Sequence, residues 1–229
     1  MIRLMSYNIR GTKGMDNRRS ARRIAEVIRE SGAQIICLQE VHQRLPWSRL
    51  VDQPGALARY LGMKVAFQRN LSIGVGGYGN AVLTSFDIEN SRSHSLASVG
   101  EQRGALEARI ATPNGPLTVF CTHWGLDRTE RVGQARELAE TVNAVESPKL
   151  VCGDFNEQAE AAGVSELISK AGLVDADPLG PPTFDSDQPS HRIDMILCDS
   201  SIGIERVWVI DSKASDHLPL VADLSLPAC

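Results

Sequence analysis

A hairpin signal near the middle of the chain constrains the fold more than any other feature of the sequence. Two strand-like segments, residues 105–112 and 117–123, flank the run Pro113-Asn114-Gly115-Pro116. These are turn-forming residues, and such a run between apolar segments is typical of an antiparallel hairpin. A sheet with a hairpin is not built only from parallel strands joined by helices, so we expect mixed sheets.

The rest of the chain alternates between helix and strand patterns. In the helical segments apolar residues recur at three- and four-residue spacing, as Ile24, Ala25 and Ile28 do. Helices are predicted at 18–31, 54–61, 129–146 and 158–171. Further strands are predicted at 2–8, 33–39, 64–68, 80–85, 149–153, 193–198, 204–210 and 219–225. No low-complexity linker interrupts these segments, and we expect one domain over residues 1–229.

Composition and charge narrow the class of protein. The 229 residues are 42% hydrophobic and 23% charged, with a formal net charge of -4. A protein that depends on non-specific attraction to nucleic acid is usually basic, so this balance does not favour a nucleic-acid partner. No apolar run has the length of a membrane span, and the N-terminal residues lack an apolar signal core. We therefore expect a cytoplasmic protein without a transmembrane segment.

The cysteine pattern indicates reduced thiols rather than a metal site. Four of the five cysteines lie in or at the end of apolar, strand-like runs, and Cys229 is the last residue. No C-x-x-C pair occurs, which argues against zinc. We expect the four internal cysteines to be buried as small apolar side chains.

Two further patterns each have a structural and a functional interpretation. Four arginines, at positions 18, 19, 22 and 23, lie near the start of the first predicted helix. A solvated helix face is the favoured interpretation, and contact with a phosphate backbone is the alternative.

Residues 74–79 satisfy G-x-G-x-x-G, but the strand-like residues 80–84 follow where a dinucleotide-binding motif needs a helix. We expect a flexible, glycine-rich loop there.

Polar residues of catalytic type stand where several apolar segments begin or end. They are Asn8, Glu40, His123, Asp154, Asn156, Asp194, Asp216 and His217. Each alone is a weak signal, because an isolated Asp or Asn at a strand end is more often a turn former. Together they predict one site if the strand ends meet at one edge of a sheet.

The order of these motifs resembles that of a known family. The segments SYNIR, CLQEV, GNAVLTS, THWGLD, GDFN, RIDMIL and SDHLPL span essentially the whole chain. On these motifs the chain is identified as a member of the endonuclease/exonuclease/phosphatase superfamily of metal-dependent phosphoesterases. The resemblance implies a four-layer α/β sandwich, in which helices flank two packed, mixed and mainly antiparallel β-sheets.

The resemblance also implies a metal-dependent phosphoester hydrolase. Glu40 matches the principal ligand of Mg²⁺, with Mn²⁺ as an alternative, and Asn8 and Asp216 are further candidates for the metal. A hard cation of this kind needs only one or two carboxylates and keeps several waters. Asn8 is also a candidate for contact with the substrate phosphate.

Five residues are candidates for catalysis on the same grounds. His217 would be the general base, oriented by Asp194, and His123 would lie near the leaving group. Asp154 would orient the attacking water, while Asn156 would hold the phosphoryl group. His123 is a feature of the deoxyribonuclease I-like and sphingomyelinase-like branches.

Three further residues have a structural as well as a functional interpretation. Asn80 and Arg103 are candidates for contact with the substrate, although structural roles suit them equally well. Glu107 is not included in the site. Pairing of residue 107 with residue 122 would put Glu107 on the face opposite His123.

The substrate class stays open at this point. A small, nucleotide or phospholipid-like phosphate ester is preferred, because the chain is compact and no basic face is evident from the sequence. A DNA or RNA nuclease is the first alternative, and a contiguous positive surface beside the site would favour it. A catalytically inactive relative that binds a phosphorylated ligand is the second. The sequence does not determine the oligomeric state.

Overall fold

Two six-stranded β-sheets form the centre of the structure. The computed structural model describes residues 1–146 and 148–227. The strands are β1 (Ile2–Asn8), β2 (Ile35–Gln43), β3 (Lys64–Ile73), β4 (Gly76–Thr84), β5 (Asp87–Leu96), β6 (Arg103–Thr112), β7 (Gly115–His123), β8 (Lys149–Asp154), β9 (Leu173–Asp175), β10 (Asp194–Asp199), β11 (Gly203–Val209) and β12 (Leu220–Ser225). The helices are α1 (Ala21–Ser31), α2 (Gln53–Leu61), α3 (Arg128–Asn143) and α4 (Ala162–Ala171).

The two sheets share one pattern of strand directions. Strand order is β11-β12-β1-β2-β4-β3 in the first sheet and β5-β6-β7-β8-β10-β9 in the second. The central pair of each sheet, β1 with β2 and β7 with β8, is parallel. Every other pair is antiparallel. The expectation of mixed, mainly antiparallel sheets is confirmed.

Apolar side chains fill three layers and make the arrangement a four-layer sandwich. Leu4, Val82 and Val119 belong to the core between the sheets. On the outer face of the first sheet, a second core packs α1 and α2 against it, with Ile24 completely buried. A third core packs α3 and α4 against the second sheet, with Leu138 completely buried. Strand residues alternate between these layers because successive side chains point to opposite faces.

The helices begin and end where their capping residues stand. The Ser20 hydroxyl accepts from the Arg23 amide at the start of α1, so this helix begins later than predicted. Asp127 caps α3 in the same way. Helices α1 and α4 end at Gly32 and Gly172, which adopt left-handed backbone angles that glycine allows without steric cost.

Three segments differ from their prediction, and one of them is the short strand β9, which forms where no strand was predicted. The glycine-rich segment that we expected to be a loop is strand β4, and only Gly74 and Val75 form a turn between β3 and β4. Strand β5 is absent from the prediction because it is an edge strand whose residues, such as Glu89 and Arg92, are mostly polar and exposed. Period-two apolar alternation is lost where neither face is buried.

The central hairpin forms as predicted but with a shorter turn. Thr112 pairs with Gly115, so only Pro113 and Asn114 form the connection. Glu107 therefore pairs with Phe120 rather than with residue 122. A shift of two residues preserves the face, and Glu107 lies on the face opposite His123, where it accepts from His94 at 2.7 Å.

The described cysteines are free thiols in the core. Cys37, Cys121, Cys152 and Cys198 are buried and form no disulfide, as expected. Cys229 lies outside the described residues. Within residues 1–146 and 148–227, no helix is both long and apolar enough to cross a membrane.

Gly79 is predicted to be required for the close approach of β3 and β4. A Cβ at this position would lie 1.9 Å from the Gln68 carbonyl oxygen, which cannot move away without shifting the strand. We expect Gly79→Ala to lower the free energy of unfolding by about 1–3 kcal/mol in urea denaturation. The matched control is Gly133→Ala in α3, where a Cβ meets no atom within 4 Å. Gly133→Ala should be neutral or stabilise by up to about 1 kcal/mol. Equal stability of the two variants would contradict the prediction.

Candidate active site

Polar side chains replace the apolar inter-sheet core at one end of both sheets. Asn8, His123 and Asp154 end β1, β7 and β8. Glu40 lies within β2, directly after Gln39, the last residue of β2 that pairs with β1. These four strands form the central parallel pairs, so the four residues lie at the same edge of the sandwich. Asp154 of β8 has a paired residue on each neighbouring strand. It pairs with Asp194 of β10 on one side and with His123 of β7 on the other.

The Asp154 carboxylate is the centre of this group. Its Oδ2 accepts from Asn8 Nδ2 at 3.0 Å and lies 3.5 Å from His123 Nε2 and 3.6 Å from His217 Nε2. Its Oδ1 accepts from the backbone amide of Asn156 at 2.9 Å. Asp154 is almost completely buried, so each of these contacts compensates the loss of hydration of its charge.

His217 is held by carboxylates on both ring nitrogens. Nδ1 lies 2.8 Å from Asp194 Oδ2, and Nε2 faces Asp154. Burial lowers the pKa of His217, but the charges of Asp194 and Asp154, the hydrogen bond to Asp194 and the charge of Asp216 together raise it to about 10. At neutral pH the imidazole of the metal-free site is therefore positively charged.

His123, in contrast to the charged His217, is neutral. Burial, reinforced by the charge of Arg103, lowers its pKa to about 3, although Asp154 acts in the other direction. The 3.5 Å approach of His123 to Asp154 is therefore a contact between a neutral ring and a carboxylate, and not an ion pair. Arg103 Nη1 lies 3.0 Å from Nδ1 and 3.3 Å from Nε2, so the guanidinium faces both nitrogens of the neutral ring.

Glu40 projects into the site because β2 contains a bulge. The pairing of β2 with β4 shifts between Leu38 and Val41, and Glu40 has a left-handed φ of 54°. The bulge re-aims one side chain out of the regular alternation. Glu40 Oε1 accepts from Asn8 Nδ2 at 3.1 Å. Burial raises the pKa of Glu40, as do the charges of Asp154 and Asp216, although the Asn8 hydrogen bond opposes them.

Asn8 and Asn156 both have defined hydrogen bonds. Asn8 Oδ1 accepts from the Arg10 amide at 3.0 Å, so the amide nitrogen faces the two carboxylates. In this orientation Asn8 positions Glu40 and Asp154 as a donor. Asn156 has a left-handed φ of 52°, and its Nδ2 donates to the Trp124 carbonyl at 2.8 Å.

Asn80 and Arg103 are buried, as most of the strand-end group is, and both have protein partners. Asn80 is buried and donates to the Gly104 carbonyl of the second sheet at 3.0 Å. Arg103 is also buried, and it forms an ion pair with Glu101 at 2.9 Å besides its contact with His123. Arg103 contacts the site through His123. Asn80 connects the first sheet to the second.

Three residues that the sequence reasoning did not assign also contact the group. Arg10 forms an ion pair with Asp216 at 3.0 Å. The Ser215 hydroxyl donates to the Asn8 carbonyl at 2.8 Å, and the ring centroids of Phe184 and His217 are 4.8 Å apart. Arg10 and Ser215 stand within the SYNIR and SDHLPL segments. Position in those motifs was the signal that could have identified them.

The donor set fits a hard divalent cation. Asp154, Asp194 and His217 each place one ligand atom within 4.8 Å of the others. Asp194 Oδ1 is buried without a hydrogen-bond partner, which leaves an oxygen available for a cation. Glu40 and Asp216 add carboxylates whose mutual repulsion raises the pKa of Glu40. Carboxylate oxygens are the ligands that Mg²⁺ and Mn²⁺ prefer.

Comparison with known proteins places this chain in a known family. A sequence profile described as Endonuclease/Exonuclease/phosphatase family matches residues 5–217. The uncharacterized protein YbhP of Escherichia coli K12 is 30% identical, over 98% of this chain and 96% of YbhP. A solved endonuclease/exonuclease/phosphatase of Beutenbergia cavernae superposes with a TM-score of 0.87 at 23% identity, over 99% of this chain and 72% of that chain. A mannosyl-6-phosphatase of Bacteroides thetaiotaomicron gives 0.81 at 20% identity, over 99% and 100%.

The two buried histidines should titrate at opposite ends of the pH range when metal is removed. In ¹⁵N NMR spectra with EDTA, we expect His217 to stay protonated up to about pH 10 and His123 to stay neutral down to about pH 3. Because the folded-state pKa of His217 exceeds its unfolded value near 6.5, its stabilisation is complete below about pH 6.5 and is lost as pH rises to 10. Asp194→Asn should lower this pKa, and an unchanged titration would contradict the charge assignment.

Proposed function

This chain belongs to the endonuclease/exonuclease/phosphatase family, and on that premise we propose that it hydrolyses a phosphate ester with the help of a divalent metal ion. The observation that carries the proposal is the Asp154 carboxylate, which accepts from Asn8 and faces both His123 and His217. A phosphoester hydrolase needs oriented groups for the nucleophile and the leaving oxygen, and this arrangement supplies both. The sequence favours a small, nucleotide or phospholipid-like phosphodiester or monoester as the substrate, with a nucleic acid as the alternative.

Glu40 is the proposed principal ligand of Mg²⁺ or Mn²⁺, with Asp216 as a second carboxylate. Asn8 is proposed to support this site by holding Glu40 in place, since its amide nitrogen donates to the Glu40 carboxylate. A bound divalent cation would neutralise charge on the phosphoryl oxygens. Arg10 forms an ion pair with Asp216, so Arg10 competes with a cation for that carboxylate.

His217 is proposed to accept the proton of the attacking water at Nε2. Asp194 fixes the ring through Nδ1 at 2.8 Å, which leaves Nε2 directed at the site. Asp194, Asp154 and Asp216 raise the pKa of His217, so the neutral ring requires compensation of part of their charge. A cation bound by the neighbouring carboxylates would compensate part of their negative charge.

His123, Asp154 and Asn156 are proposed to act on the other side of the phosphate. The neutral imidazole of His123 carries one N–H, and His123 is proposed to donate a hydrogen bond from it to the leaving oxygen. Asp154 is proposed to orient the attacking water, and Asn156 to bind a phosphoryl oxygen. Arg103 is proposed to position His123 rather than to touch the substrate, because it is buried behind that ring.

A catalytically inactive relative is the less favoured alternative. All eight residues that the sequence singled out are present, and six of them lie in one polar cluster in direct contact: Asn8, Glu40, His123, Asp154, Asp194 and His217. A binding protein without catalysis would not need this number of buried ionisable groups, each of which is costly to desolvate. The nuclease alternative rests on a separate surface that is described below.

Replacement of Glu40 should remove metal binding without removing the fold. We expect Glu40→Gln to weaken Mn²⁺ or Mg²⁺ binding at least about tenfold in isothermal titration calorimetry, because a hard cation loses its anionic oxygen ligand. Glu205→Gln, an exposed residue of β11, is the control with the same change of charge. Unchanged binding by Glu40→Gln would exclude Glu40 as a ligand.

Replacement of His217 should lower the turnover rate, beyond any effect on the stability of the fold. We expect His217→Gln to reduce kcat about 10²-fold or more, as for the loss of a positioned base. The assay is a panel of a chromogenic phosphodiester, a phosphomonoester and a choline phospholipid, each with Mg²⁺, Mn²⁺ or EDTA. His94→Gln removes an imidazole from the opposite face of the second sheet and is the control. A rate close to that of the unaltered protein would remove His217 from the mechanism.

A further inference from the structure

A groove beside the candidate active site takes no part in the chemistry proposed above. It has a volume of about 740 Å³ and lies between the start of α1, the 3₁₀ turn Pro46–Ser48 and helix α2. Pockets that bind ligands have volumes of roughly 300–1,000 Å³. Its charged lining residues are all arginines, namely Arg18, Arg19, Arg22 and Arg49. We refer to it as the arginine groove.

The positive charge of the arginine groove is only partly compensated. No lining residue is acidic. Within residues 1–146 and 148–227, Arg22 is the one arginine of the four that forms an ion pair, with Glu26 at 3.0 Å. The whole chain has a net charge of -4, so the groove is a local reversal of sign. A concave positive surface on an acidic protein concentrates anions at that place.

Two aromatic side chains lie among these arginines. Trp47 and Tyr60 line the groove and are 53% and 51% exposed. The ring of Trp47 is held edge-on against His42, with centroids 6.3 Å apart and an interplanar angle of 88°. Exposed aromatic faces beside cations are suited to stacking on nucleobases while the cations contact phosphates. The same combination is not needed to bind a simple inorganic anion.

The arginine groove is physically joined to the strand-end site. Arg19 Nη1 donates to the carbonyls of Arg10 and Gly11, in the loop that follows Asn8. Gln53 Nε2, at the start of α2, donates to the same Gly11 carbonyl at 2.8 Å. These bonds fix the groove wall to the loop that carries Arg10 into the active site.

The backbone around the arginine groove is held in uncommon conformations. Thr12, Asn17 and Arg49 line it and have left-handed φ values of 65°, 60° and 56°. Non-glycine residues adopt these angles infrequently and keep them where the surroundings enforce a particular shape. For Thr12, the bonds of Arg19 and Gln53 to the Gly11 carbonyl and of Gln53 to the Thr12 hydroxyl provide that enforcement.

We propose that the arginine groove binds a single-stranded segment of nucleic acid and directs it to the strand-end site. Arginines spaced along a concave surface match successive phosphates, while Trp47 and Tyr60 supply stacking positions. An anionic membrane would require these groups on a convex surface, whereas they line a groove. As a statement about the substrate, the proposal rests on the proposed function. As a statement about binding, it is independent of catalysis.

The sequence alone did not reveal this surface. The arginines near the start of α1 favour a solvated helix face when only the sequence is considered, and no pattern in the sequence connects Arg49 with them. The fold brings Arg49, on the turn before α2, to the same groove as Arg18 and Arg19. The condition that would favour a nucleic-acid substrate, a contiguous positive surface beside the site, is therefore met.

Binding should be measured without catalysis, by fluorescence anisotropy of a labelled oligodeoxythymidine of about twelve nucleotides in EDTA. Arg18→Gln with Arg49→Gln should weaken binding about tenfold or more. It should also reduce the slope of log K against log salt by about 1.4, because each lost phosphate contact removes about 0.7 from the slope for a single strand. Trp47→Leu should weaken binding about tenfold with no change of slope, because stacking releases no counterions.

The control is Arg92→Gln with Arg206→Gln, which removes the same charge from exposed positions on β5 and β11. An equal loss of affinity in this control would overturn the proposal. So would a protein that ignores the oligonucleotide but binds phosphatidylserine vesicles through Arg18 and Arg49. Hydrolysis of the chromogenic phosphodiester without oligonucleotide binding would contradict the proposed role of the arginine groove but not the proposed function. Oligonucleotide binding without hydrolysis of any ester would refute the proposed function alone.

Discussion

The hydrogen bonds from Asn8 to two carboxylates are the interaction on which this site depends. Asn8 and Glu40 belong to the first sheet and Asp154 to the second, so a single amide nitrogen joins the two sheets at their polar end. Elsewhere the sheets meet mainly through apolar residues such as Leu4 and Val119, with the bond from Asn80 to the Gly104 carbonyl as a further polar link. Desolvation makes buried carboxylates costly unless donors surround them, which is why this end of the core needs a network and not single polar residues.

The shared strand pattern of the two sheets explains why the network forms at one edge. In each sheet the central pair is parallel, and the polar residues stand where its pairing ends: Asn8 and Glu40 in one, His123 and Asp154 in the other. Antiparallel neighbours then bring further groups to the same edge, as β10 does with Asp194. Connections that leave and return around a parallel pair create a crevice beyond the strand ends.

This arrangement determines what could be predicted from the sequence. Apolar runs that end in Asn8, His123 and Asp154 identified the strands and the edge at which the residues meet, because strand ends are visible as a change from apolar to polar residues. The bulge before Val41, which turns Glu40 into the site, leaves no such sign. Strand β5 was also hidden, because a polar edge strand lacks alternation.

The arginine groove could not be predicted for a different reason. Its residues come from α1, a 3₁₀ turn and α2, and only their packing brings them together. Charge on separate surface elements follows no period in the sequence, so local patterns favoured solvated positions for each arginine. Net charge was misleading in the same way, since a total of -4 contains no information about where the positive groups gather.

The charge balance of the strand-end site gives the strongest argument for a cation. Glu40, Asp154, Asp194 and Asp216 are the carboxylates of the group, while its positive partners in the described chain are His217 and Arg10. Arg103 does not change this balance, because Glu101 pairs with it. His123 is neutral, since burial lowers its pKa to about 3. The excess of negative charge is what a divalent cation would neutralise. Until then it keeps His217 protonated, and it adds to burial, the larger cause, in raising the pKa of Glu40.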